Sequence, residues 1–107
     1  MYTPDNWIIL KLETEEETFY KILAGWSGGY LDGDSWRMNS GIEKVEEDGE
    51  YYLFIGASGS IYKCHKESET LRMNNAYIYN RFIEKHPNIV SRIDYVDFEK
   101  EFKVSRE

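Results

Sequence analysis

The side chains that invite a chemical reading are few. Cys64 and His65 are adjacent and His86 lies further on, a thiol and two imidazoles that would begin a zinc site or a thiol and base pair. Neighbours on a strand point to opposite faces, however, and a fourth ligand is missing, so a buried, inert Cys64 beside surface histidines is expected. Asp32, Asp34, Ser40 and Glu43 fall at positions 1, 3, 9 and 12 of a calcium-loop template. Position 5 is Trp36, which offers no oxygen, and the sixth, where the sharp turn needs glycine, is Arg37. Both aspartates are therefore expected to shape turns. The glycines from Gly25 to Gly33 precede neither a Lys-Ser/Thr pair nor a helix start, which excludes a phosphate-cradling loop. The expectation is a non-enzymatic chain with no cofactor and no metal.

What remains is recognition, and it concentrates in Trp26 to Gly41, WSGGYLDGDSWRMNSG. Glycine and short polar residues there favour turns over regular structure, while Trp26, Tyr30, Leu31, Trp36 and Met38 are large apolar groups that a solvated linker does not carry. They either fold back on the core or face a partner. Trp26, ending a strand, is expected to pack, and Trp36, between Ser35 and Arg37, to be exposed. Tyr30, Asp34, Trp36, Arg37, Met38 and Asn39 form the expected partner-binding set, rich in residue types that dominate interface energetics.

The 107 residues suffice for one domain with its own core, and nine Tyr, five Phe and three Trp make that core aromatic. A single cysteine makes no internal bridge, and neither a long apolar run nor a basic leader is visible, so a cytoplasmic, non-membrane protein is expected, monomeric or weakly self-associating. Residues 1 to 54 carry four basic against twelve acidic side chains, a net of −8, and residues 55 to 107 a net of +1. That imbalance disfavours phosphate binding by the first half.

These residues are positioned by elements readable from periodicity. Asn6 to Glu13 alternates as a half-buried strand with Ile8, Leu10 and Leu12 inward, and Thr14 to Glu17 is an acidic turn into a second strand over Thr18 to Trp26. Asp48-Gly49 predicts a type I′ hairpin between Ile42–Glu47 and Glu50–Gly56, and Ala57 to Ser60 turns into Ile61–His65. Ser68 to His86 predicts a helix, capped by Ser68 and stopped by Pro87, with Leu71, Asn75, Ile78, Tyr79, Phe82 and Ile83 inward and Arg72, Asn74, Tyr77, Asn80, Arg81 and Glu84 outward. The tail, Val96 to Val104, reads as an edge strand or a short helix. The fold class is α+β: an antiparallel meander of four to six strands, open or rolled, with one packed α-helix.

The runs DNWIILKL, AGWSGGYLDGDSWRMNSGI and EDGEYYLFIGASGSIYKCHK resemble small uncharacterised proteins of T4-like tailed phages, particularly those infecting cyanobacteria. The resemblance spans residues 5 to 66. It implies a viral accessory protein acting in the host cytoplasm and brings no catalytic residues with it. The expected function is binding of a protein partner through the aromatic, glycine-rich loop. Two alternatives stand beside it: nucleic-acid binding by the outer face of helix 68–86, and inhibition by an acidic mimic of DNA built from Glu13, Glu15, Glu16, Glu17, Glu46, Glu47 and Asp48.

Overall fold

Asn6 to Leu10 are buried without a break, because NWIIL is apolar or internally bonded on both faces of its strand and the chain layers itself around both. The computed structural model describes residues 1–28 and 34–106, with side chains through Phe102. Its elements are strands β1 (Asn6–Glu13), β2 (Thr18–Trp26), β3 (Ser35–Met38), β4 (Ile42–Asp48), β5 (Tyr51–Gly56) and β6 (Ile61–His65), a 3-10 turn at Lys66–Ser68, helix α1 (Met73–Lys85), strand β7 (Val90–Ile93) and helix α2 (Tyr95–Arg106).

The fold is the antiparallel α+β architecture read from the sequence. Seven strands among the described residues divide into two sheets, in the orders β3-β2-β1-β7 and β4-β5-β6. One face of β1 and β2, through Trp7, Ile9, Tyr20, Ile22 and Ala24, meets the three-stranded sheet and α2 at Phe54, Tyr62, Cys64, Phe98 and Phe102. The opposite face, through Ile8, Leu10 and Leu23, packs under α1 at Ile78, Tyr79, Phe82 and Ile83. Trp7 is wholly buried and its indole N–H donates to the His65 carbonyl at 2.8 Å.

Three sequence expectations are corrected, and of the two readings of the tail the helical one holds. β1 is covered on both faces rather than half-buried. Trp26 to Gly41 is not irregular throughout, since Ser35–Met38 pairs with β2 in the register Gly25↔Trp36 and Leu23↔Met38. The helix starts at Met73, not Ser68, because Ser68 closes the 3-10 turn and the Glu69 carboxylate instead accepts the Tyr95 backbone N–H at 2.8 Å, at the start of α2. The tail is helical: Tyr95, Phe98 and Phe102 recur at three and four residues and all are buried, which a strand would not allow.

The hairpin between β4 and β5 is also displaced by one residue. Asp48 pairs with Tyr51, so Gly49 and Glu50 occupy the turn, with φ of 61° at Gly49 and no positive φ at Glu50. Glycine first and an ordinary residue second is the II′ pattern, not I′. Gly49→Val is expected to lower stability by about 1 to 2 kcal/mol, the cost of a left-handed backbone in a residue with a Cβ. Urea unfolding measures it, and parental stability would mean that the turn is misplaced.

Candidate functional site

The site is assembled from the edge strand upward. Asn39 donates its backbone N–H to the Ile22 carbonyl at 3.2 Å and accepts the Ile22 N–H on Oδ1 at 2.8 Å, so it faces β2. Antiparallel alternation then turns Arg37 and Ser35 towards β2 and directs the main-chain N–H and C=O of Trp36 and Met38 outward. On the other side of β2, Gly25 gives its carbonyl to the Asp5 N–H at 2.9 Å, in phase with that assignment. Among the described residues β3 has no strand on its outer side.

Side chains alternate independently of this. Trp36 and Met38 share the face towards α1, and Arg37 takes the other, its guanidinium carbon 4.5 Å from the centre of the Tyr2 ring. Met38 reaches the core beneath α1, but Trp36 remains 44% exposed. It forms one wall of a groove of about 220 Å³, completed by Ile78, Arg81, Phe82 and Lys85 of α1. Ile78, Phe82 and Lys85 lie four and three residues apart on one helical line. Along α1 from the groove, Tyr77, bonded to Arg81, and Met73 one turn earlier are 63% and 88% exposed, an apolar margin on the same helical line. Arg81 bonds the Tyr77 hydroxyl at 2.8 Å, and none of Arg37, Arg81 and Lys85 lies within ion-pair distance of a carboxylate among the described residues.

The structure thus divides the partner-binding set anticipated from sequence. Trp36 and Arg37 are exposed on opposite faces of β3. Asp34 is exposed and accepts the Gly28 N–H at 3.0 Å, a turn-closing role. Met38 is half-buried in the core, and Asn39, 4% exposed, is committed to β2, so neither is a free anchor. Tyr30 lies outside the described residues. Arg81, Lys85, Ile78 and Phe82 join the site without having been selected for it. Their helical spacing was visible, but the strand that faces them was not.

The outward helix face loses Asn74, which is buried and donates from Nδ2 to Asn6 Oδ1 at 2.8 Å. Cys64 is buried, and burial pushes its thiol well above the usual range, so it is held protonated and unreactive. His65 accepts the Glu67 N–H on Nδ1 at 3.1 Å, across the strand from Cys64. Among the described residues no three His, Cys, Asp or Glu side chains converge on a metal-sized site, and no helix is long and apolar enough to cross a membrane. No protein-family model matches the chain, and comparison with curated proteins and solved structures finds no relative.

A polar cluster joins β1, β2 and α2. Glu101 accepts the Tyr20 hydroxyl at 2.7 Å and pairs with Lys11 at 2.9 Å, which fastens α2 to the sheet. The Lys11 ammonium, then the Tyr20 hydroxyl, hold the Glu101 carboxyl below its ordinary range. A depressed carboxylate pKa contributes stability above the unfolded value, about 4.3, and that contribution is lost as pH falls through the folded value. Glu101→Gln is therefore expected to be less stable than the parent at pH 7, with the gap closing below about pH 4. Thermal melts across pH check this, and a gap that persists in acid would remove the ionic role.

The two tryptophans supply a sharper comparison. Trp7→Ala empties a sealed site and leaves the His65 carbonyl without its donor, so about 3 to 5 kcal/mol should be lost. Trp36→Ala leaves no enclosed cavity and should cost roughly 1 to 2 kcal/mol, with the fold retained. Denaturant unfolding of both decides. Equal losses would make Trp36 a core residue rather than a groove wall.

Proposed function

We propose that this chain is a non-enzymatic accessory module that binds a protein partner at the groove between β3 and α1. One observation carries the reading: Trp36 stands 44% exposed over Ile78 and Phe82, in a chain whose Trp7 is sealed. Large, half-desolvated aromatics beside an arginine are the side chains from which interface hot spots are made. The apolar margin of Met73 and Tyr77 enlarges the surface a partner would cover. A phage-encoded protein acting on host machinery, as the sequence resemblance implies, fits a module whose surface offers contacts rather than chemistry.

The alternatives have less support. On the helix face, nucleic-acid binding loses Asn74 to the core, and exposed Glu84 on the same helix opposes phosphate. In the acidic mimic, Glu46 and Glu47 are paired with Lys44 and Lys66, which diminishes the charge that would imitate phosphate.

Affinity capture from native-host lysate with parent, Trp36→Ala and Arg81→Glu baits tests the proposal. The parent is expected to retain a partner that both variants lose while remaining folded by circular dichroism. Capture unaffected by either change would place the binding surface elsewhere.

A further inference from the structure

Resting on that reading, we propose that the groove receives an extended, acidic segment of the partner, which adds as a strand to the open edge of β3. The first ground is backbone chemistry. The N–H and C=O groups of Trp36 and Met38 point away from β2, and among the described residues they make no main-chain hydrogen bond. An edge of this kind is a template for an incoming strand, whose main chain supplies affinity and whose alternate side chains supply selectivity.

The second ground is the fit of those side chains. A strand laid along β3 would place every other residue on the α1 side, over Trp36, Ile78 and Phe82, where an apolar side chain is accommodated. Its neighbours on that side would reach Arg81 and Lys85 at the groove rim. Residues on the opposite face would pass Arg37 above Tyr2. Three cations with no carboxylate within ion-pair distance among the described residues surround this edge, in a protein of net charge −7. A carboxylate partner supplies the missing counter-charge on both faces of the added strand, whereas a basic one would bring like charge to all three.

Selection from a randomised nine-residue peptide library on the intact chain tests this, followed by fluorescence anisotropy with the enriched peptides. Enriched sequences should carry acidic residues two positions from an apolar one, on the α1 side near Arg81 and Lys85, and at an intervening position that faces Arg37. Methylating alternate backbone nitrogens of the best peptide should weaken binding by about tenfold or more in one of the two registers and little in the other. Arg81→Glu should weaken the unmodified peptide by a similar factor, and the loss should shrink as salt is raised. Binding indifferent to methylation in both registers would overturn strand addition while leaving the groove a protein-binding site. Enrichment of basic or proline-rich peptides would overturn the acidic occupant. No enrichment, with a dimer seen by sedimentation and abolished by Arg81→Glu, would replace the partner by a second copy. No enrichment and no dimer would overturn the inference, and the groove reading would then stand or fall on lysate capture alone.

Discussion

Gly25 and the Asn74 side chain occupy space that a single methyl group would fill: a Cβ on Gly25 would overlap the Asn74 amide. This close approach lets the start of α1 settle on the centre of the sheet and insert a polar cluster there. Asn6 donates to the Thr70 carbonyl at 3.1 Å and to Asn75 Oδ1 at 3.0 Å, and Asn75 donates to the Leu23 carbonyl at 3.3 Å. Asn75 also accepts the Arg72 N–H at 2.9 Å, which serves the first turn of the helix. Buried amides hold position because each lost bond would leave a desolvated group, at about 1 to 3 kcal/mol. Once the first turn is pinned between β1 and β2, the direction of α1 places Ile78 and Phe82 opposite β3, and the groove width follows.

The sequence disclosed those elements whose turn chemistry was local. Ala57 to Ser60 and the acidic run after Glu13 connect strands where expected, and the β4–β5 turn falls one residue beyond Asp48-Gly49, at Gly49-Glu50. The error of one residue at Gly49 arose because Asp-Gly suits I′ centres, while Gly-Glu suits II′ equally well. Misread segments were those whose state depends on distant residues. Ser35–Met38 alternates correctly for a strand, yet the surrounding glycines spoke for a loop, and only pairing with β2 decides between them. Phe98 and Phe102 satisfy both strand and helix parity, and burial of Tyr95 three residues earlier settles the matter.

The candidate site was legible in part for the same reason. Trp36 was conspicuous by type, and its exposure follows from position on an edge strand. Arg81 and Lys85 looked like ordinary solvated helix residues, because nothing in a single chain announces which helix face borders which strand edge. Asn39 and Asn74 were misassigned as surface polar groups. Buried asparagines have no periodic signature: Asn39 takes a ladder partner's place against Ile22, and Asn74 bonds the Asn6 side chain beneath α1.

β1 lies between β2, its neighbour in sequence, and β7, with Leu12 set against Val90. The sheet's middle strand is therefore completed by a segment near the far end of the chain, a high contact order that favours slow, late closure. While a nascent chain lacks β7, β1 is an edge, apolar on both faces and open to pairing with other molecules. When β7 docks, that hazard passes to a short strand carrying exposed Ser91 and Arg92, a poorer template for aggregation.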